Sequence, residues 1–155
     1  MNSYDLITKF RNHLDKAGLI QSGQHVVVAV SGGMDSMCLL FLFNELKDEF
    51  DFQITVGHIN HQLRTDSKRD EAFVKMTCAK IGFPIITKQL NPSTRTKRES
   101  WEAWARIRRY QKLEAIRREV RADVIITAHH GNDQIETILM RMGEGSGIRG
   151  LQGIH

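Results

Sequence analysis

Several patterns are missing from this chain, and each absence narrows the reading. Its 155 residues hold two cysteines, Cys38 and Cys78, 40 positions apart. Neither belongs to a CxxC pair, so a disulfide framework and a cysteine-based metal or redox motif are excluded. Both sit in apolar periodic stretches and read as buried thiols in a reducing compartment. No apolar run approaches the roughly 20 residues that a bilayer span needs. The opening MNSYDLITKF lacks the apolar core of a signal peptide. A cytoplasmic protein with no membrane partner is the expectation. There is no internal repeat and no low-complexity linker. No G-x-x-x-x-G-K-S/T occurs, which removes the Walker-type phosphate loop. One G-x-G-x-x-G is present, at Gly145, Gly147 and Gly150. It follows a predicted helix instead of a strand and is read as a loop, not as a dinucleotide fingerprint.

What is present fits one globular domain. Hydrophobic residues make up 41% of the chain and charged residues 26%, enough apolar material for a core and too little charge for disorder. The net charge is +4, unevenly spread. Residues 88–121 carry eleven basic side chains against four acids, a local +7. Such a field suits a polyanion such as RNA or ATP, although a solvated basic helix would show the same composition.

Periodicity gives the architecture. Residues 3–17 place Leu6, Ile7, Phe10, Leu14 and Ala17 at helical spacing. Four β-branched runs then follow, HVVVAV (25–30), FQITVGH (52–58), FPIIT (83–87) and DVIITAH (123–129). They are nearly continuous in apolar residues, as strands buried on both faces of a parallel sheet must be. Helical stretches are predicted at about 36–48, 67–81, 100–121 and 132–142. This alternation predicts an α/β fold, a parallel open Rossmann-like sheet with helices on both faces. The polar stretch LNPSTRTKRES (90–100) is expected to be a mobile loop.

Three polar clusters fall where strands end: SGGMDS after the first, HINHQLR after the second and HHGND after the fourth. Open α/β sheets bind ligands at that edge. In SGGMDS, Gly32 and Gly33 let the backbone turn sharply and approach a ligand. The following helix start offers unpaired N–H groups, and Ser31 and Ser36 add hydroxyls. Asp35 beside phosphate makes sense as a Mg²⁺ ligand or as a cap. An ordinary helix cap, with Asp35 or Ser31 as the capping residue, is the simpler alternative. Glu102, Arg106 and Arg109 share a helical stripe with Leu113, Ile116 and Val120, so charge would lie along a core-facing line. Either Glu102 and Arg106 pair on a solvated edge, or Arg109, with Arg106, reaches an ATP phosphate. Asp133 and Glu136 would stand one helical turn apart, opposite Ile135, Ile138, Leu139 and Met142, placed for an ammonium group or a metal. His58, His61, His129 and His130 lack the further ligands that zinc requires; His129 or His130 is read as a hydrogen-bonding strand-end residue.

SGGMDS after a first strand resembles the PP-loop of the N-type ATP pyrophosphatases, which cleave ATP between the α- and β-phosphates to adenylate a substrate. AVSGGMDSMCLL, HINHQLR, E-x-W-A-R-x-x-R-Y at 102–110, TAHHGNDQIETILMR and GSGIRGLQGI resemble, in order, the segments of the tRNA(Ile)-lysidine synthetase family. That resemblance implies ATP- and Mg²⁺-dependent adenylation of the wobble cytidine at its C2 carbonyl oxygen. Lysine then displaces AMP to give lysidine. It implies an ATP site at Ser31, Gly32, Gly33, Met34, Asp35 and Ser36, with Asp35 as the Mg²⁺ ligand. Asp35, Arg106 and Arg109 become catalytic. His61, Arg64, His129, Asp133 and Glu136 serve lysine or cytidine. The implied partners are tRNA(Ile) with a CAU anticodon and free L-lysine, and homodimer formation stays open. Two positions depart from the family pattern, Asn132 in place of an Asp and Glu144 in place of a basic residue. Family members are longer, so residues 1–155 are expected to form a PP-loop catalytic domain without its C-terminal tRNA-gripping parts. Two other readings compete. A PP-loop tRNA thiolase would need cysteines that are absent. An ATP-binding module without chemistry would leave Arg106, Arg109, Asp133 and Glu136 without a task.

Overall fold

The computed structural model describes residues 3–18, 20–62, 65–131 and 134–140, with 3, 17, 129–131 and 134–140 as backbone alone. Helix α1 (Ser3–Ala17) precedes strand β1 (His25–Ala29). Then follow α2 (Met34–Phe50), β2 (Gln53–Asn60), α3 (Ser67–Ile81), β3 (Ile85–Gln89), α4 (Trp101–Glu119), β4 (Val124–Gly131) and β5 (Gln134–Met140). The sheet order is β3-β2-β1-β4-β5. The first four strands pair in parallel, Val28 standing opposite Val56 on one side and Ile126 on the other.

Strand β1 shows why its sequence is three valines in a row. Val26, Val27 and Val28 are all fully buried. Val26 and Val28 join the core beneath α1, α2 and α3. Val27 joins the core beneath α4, with Trp104, Leu113 and Ile116. The order of strands explains this split. The connections from β1 to β2 and from β2 to β3 both step the same way along the sheet. Crossovers of one hand therefore put α2 and α3 on one face. The connection from β3 to β4 steps back past two strands, so its helix lands on the other face. Gly57 marks the closest approach of α4: a Cβ there would meet Leu113 Cδ2 at 3.1 Å and Val27 Cγ1 at 3.2 Å.

Two expectations need correction. The helix predicted at 132–142 is not found; Gln134–Met140 is strand β5, antiparallel to β4 in a register that sets Glu136 opposite His129. A seven-residue run containing Ile135, Thr137 and Ile138 satisfies strand preference as well as helical spacing. The free edge of β4 decides the matter by supplying backbone partners. The stretch 90–100 is not a mobile loop either. The Asn91 side chain accepts from Ser93 N (3.1 Å) and Ser93 Oγ (2.7 Å), setting a 3-10 turn at Pro92–Thr94. Glu99 accepts from Thr96 N and Oγ, at 3.0 and 2.9 Å. Arg95 donates to the carbonyls of Thr96 and Glu99. Polar composition concealed a segment held by side-chain-to-backbone bonds.

The far end of α4 is also held by charge. Glu114 accepts from Arg117 Nε (2.7 Å) and Nη2 (2.9 Å) and from Arg118 Nε (2.8 Å). These bonds, Arg117 first, hold its carboxyl below the usual range. A depressed value stabilises the fold above the unfolded pKa of about 4.3 and stops doing so as pH falls through the folded value. Glu114→Gln is expected to cost about 1 kcal/mol at neutral pH. The gap to wild type in thermal melts should close below about pH 4.

Candidate nucleotide site

The turn after β1 is organised around one hydroxyl. Ser36 is buried, and its Oγ donates to the Gly33 carbonyl at 2.9 Å. The same oxygen receives the Ser31 N–H at 3.1 Å and lies 3.1 Å from Ser31 Oγ. Ser31 Oγ in turn accepts from Gly33 N at 3.3 Å. The two serines therefore tie the loop to itself from the inside. Gly32 sits at φ +94°, and an added Cβ would stand 3.3 Å from Asp70 Cβ on α3. The loop is thus pressed against the first turns of α3, and glycine alone meets both conditions.

Gly33 is the N-cap of α2, and no side chain caps that helix. The N-cap position thus falls on Gly33 and on neither Asp35 nor Ser31. The first-turn N–H groups of α2 are left open to an anion, with the positive end of the helix behind them. The turn has the shape of a phosphate cradle. Met34 is 85% exposed at its lip, and Asp35 is half-buried on the first turn. Among the described residues no group of three or more His, Cys, Asp or Glu could hold a metal ion. Asp35 could hold Mg²⁺ only in company with phosphate oxygens, which is how Mg²⁺ is commonly bound.

Strand β2 supports the cradle from the side. It extends further than predicted, to Asn60, so His58 and Asn60 lie inside the sheet and not in a loop. His58 is 2% exposed and its Nδ1 lies 2.7 Å from the Val30 carbonyl, one residue before the cradle. A carbonyl only accepts, so Nδ1 carries the proton. Sequence reasoning considered His58 for zinc; the structure uses it as a strut. It missed Asn60, whose Nδ2 donates to Glu71 at 2.8 Å while its Oδ1 accepts from Gln62 N at 2.9 Å. Glu71, which also receives Lys75 Nζ at 2.6 Å, is held below the usual carboxylate range by these bonds, that from Asn60 first. These residues line a cavity of about 670 Å³ at the ends of β2 and β3. Nothing in the local pattern marked Asn60 and Glu71 as partners, because they come from different elements.

Along α4 the predicted stripe is real but graded. Leu113 and Ile116 are sealed in the core. Arg109 is half-buried; its Nε is buried without a hydrogen-bond partner, and its guanidinium lies 5.3 Å from the Tyr110 ring. Arg106 and Glu102 are exposed. In that half of the helix Trp104 and Tyr110 are the residues buried in the core, and the stripe of Glu102 and Arg106 lies to the side of them. Of the remaining residues, His61 is half-buried just after β2. His129 and Glu136 are backbone partners across β4 and β5. The helical-face argument for Asp133 and Glu136 lapses with the helix. Arg64, Asn132, Asp133, Glu144 and the glycine pattern at 145–150 lie outside the described residues.

Fold and site together define a class: a Rossmann-like α/β domain with a glycine- and serine-built turn after its first strand, at the edge where such sheets bind ligands. Comparison with known proteins places it more narrowly. The PP-loop domain family matches residues 3–155, and the chain belongs to that ATP-binding family. A tRNA(Ile)-lysidine synthase from Clostridioides difficile is 36% identical over 152 residues, 96% of this chain and 33% of that protein. Relatives of the same name from Clostridium acetobutylicum and Lactiplantibacillus plantarum are each 38% identical, over 97% and 96% of this chain. The chain spans about a third of the length of these relatives. Among solved structures, the U34-tRNA thiolase NcsA from Methanococcus maripaludis superposes with a TM-score of 0.64 at 14% identity. It covers 79% of this chain and 46% of the thiolase, and shows a shared fold. No described helix is long and apolar enough to cross a membrane.

Ser36→Ala removes the hub of the cradle. The expected cost is about 1–2 kcal/mol of stability, from partners left unpaired in a part-buried site. ATP affinity should drop at least tenfold, read by calorimetric titration. Gly32→Ala should be worse on both counts, since it adds backbone strain to the contact with Asp70.

Proposed function

We propose that this chain is the catalytic PP-loop domain of a longer cytoplasmic tRNA(Ile)-lysidine synthetase, followed by parts that grip tRNA. The reaction joins lysine to C2 of the wobble cytidine in tRNA(Ile) with a CAU anticodon. ATP supplies the adenylate that activates the C2 carbonyl oxygen, with release of pyrophosphate. Lysine then replaces AMP, giving lysidine. The observation that carries this reading is the uncapped, serine-tied cradle at the start of α2, in a chain 36% identical to a protein of that name.

The roles of the residues follow from their chemistry. Ser31, Gly32, Gly33, Met34 and Ser36 form the turn that receives the phosphates of ATP on the backbone N–H groups at the start of α2, while the two serine hydroxyls hold its shape. Asp35 holds Mg²⁺ against those phosphates. Arg109 has a buried Nε without an acceptor, a state that costs roughly 1–3 kcal/mol and that an arriving anion relieves. With Arg106 it stabilises the charge that moves onto pyrophosphate. His61 and Arg64 border the cytidine. Lysine arrives as an ammonium and needs carboxylates to position it; Asp133 and Glu136 take that part, with His129 opposite Glu136 in the sheet register. It must then lose a proton, since only the neutral amine attacks.

The thiolase alternative is weaker on chemical grounds. Burial pushes the Cys78 thiol up to about 11. Burial, then the Asp35 carboxylate, raises that of Cys38. Neither is a ready thiolate nucleophile at neutral pH.

The test is pyrophosphate release from ATP by the full-length protein, with tRNA and lysine added separately and together. Asp35→Ala should abolish Mg²⁺-dependent ATP use while circular dichroism shows an intact fold; unchanged turnover would remove the assignment. Glu136→Gln should raise the lysine requirement strongly and spare formation of the adenylated tRNA. Equal loss in both half-reactions would make Glu136 structural or a metal ligand.

A further inference from the structure

We propose that Arg95 and Trp101 form a stacking platform for an unpaired base of the RNA substrate. The choice of RNA rests on the function proposed above; the platform itself rests on geometry. Trp101 is the first residue of α4 and is 46% exposed. The Arg95 guanidinium lies over its ring, 4.2 Å from the centroid. Arg95 is not free to leave, because it also donates to the carbonyls of Thr96 and Glu99. Trp101 is anchored from below by Trp104, 1% exposed, with ring planes at 88° and centroids 5.9 Å apart. The Ser100 hydroxyl caps the helix through Ala103 N at 3.1 Å and fixes where Trp101 begins.

An exposed tryptophan held rigid by a cation and a second tryptophan is costly to leave in water. A planar aromatic ligand would find it preorganised, with little entropy left to lose. Charge selects the ligand. Toward the far end of α4, Arg117 and Arg118 are paired with Glu114, and Lys88 with Glu119. Lys97, Arg98 and Arg106, on either side of the platform in sequence, are in no ion pair among the described residues. Positive charge thus flanks the aromatic surface along the chain, and Arg95 lies on it directly. An aromatic face with a cation against it and unpaired cations beside it in the chain fits a base attached to phosphates. The topology puts it in reach of the cradle, since the loop leaves the carboxyl end of β3, the edge on which the cradle lies.

The chain contains two tryptophans, Trp101 and Trp104, one exposed and one buried, so fluorescence separates them. The probe is a short unstructured oligoribonucleotide, titrated into this chain at low salt. Saturable quenching is expected, with micromolar affinity that weakens as salt rises. Trp101→Phe should keep affinity within about threefold and lose the quenching, while Trp104 emission reports an intact core. Trp101→Ala should weaken binding about tenfold or more. A duplex RNA of equal charge should bind without quenching. The platform is overturned if Trp101→Phe leaves the quenching in place, if folded Trp101→Ala binds as wild type does, or if poly-glutamate or the duplex quenches equally. Failure of the function itself looks different: the full-length protein would release no pyrophosphate in response to tRNA and lysine, whatever the oligonucleotide does.

Discussion

The structure depends on a central strand that has no solvent face. Val26, Val27 and Val28 are all fully buried, two against one helical layer and one against the other. A strand so placed must be flanked by parallel neighbours reached through helices, because hairpins would not cover both faces. Parallel neighbours in turn bring every strand to its end on the same side. The turn after β1, the His58 strut and Asn60 in β2, and the start of α4 after β3 are consequences of that arrangement. The site is assembled by the core, and a polar substitution at Val27 would loosen both together.

The cradle also shows how a loop can be rigid without spending a capping side chain on the helix it leads into. An ordinary helix start spends a side-chain oxygen on its first free donors. Here the serine hydroxyls face inward and bond to the loop, through Ser36 to Gly33 and through Ser31 to Ser36. The capping position is a glycine and contributes nothing. Rigidity is supplied by bonds that do not compete with a ligand. Preorganised donors of this kind interact with phosphate at small further entropic cost, the condition under which electrostatic stabilisation is strongest.

Most of this was legible in the chain itself. The four parallel strands could be read because two-sided burial leaves continuous apolar runs, and the cradle because two glycines and two serines exceed what a capped turn needs. What could not be read came from partners distant in sequence. Strand β5 follows from the open edge of β4, which no window over Gln134–Met140 contains. The Asn60–Glu71 pair joins a strand to a helix eleven residues on. The ordering of 91–100 depends on which Asn, Thr and Glu groups face backbone atoms, while composition registers only polarity. The stripe on α4 was visible as a line of positions, but its gradient from sealed Leu113 to open Arg106 required knowing where the sheet ends.

That gradient bears on how a small domain handles a large anion. A net +7 over residues 88–121 would act on a polyanion as a diffuse field if every charge were free. Glu114 and Glu119 offset the charge of Arg117, Arg118 and Lys88, and Lys97, Arg98 and Arg106 at the start of α4 and in the loop before it have no such partner among the described residues. Exposed charges more than about 8–10 Å apart barely sense each other at physiological salt, so position matters more than the total. On the function proposed above, a charge distribution of this kind would orient an RNA while contacting few phosphates. Few contacts mean modest affinity and a shallow salt dependence. Orientation would then be the contribution of this domain.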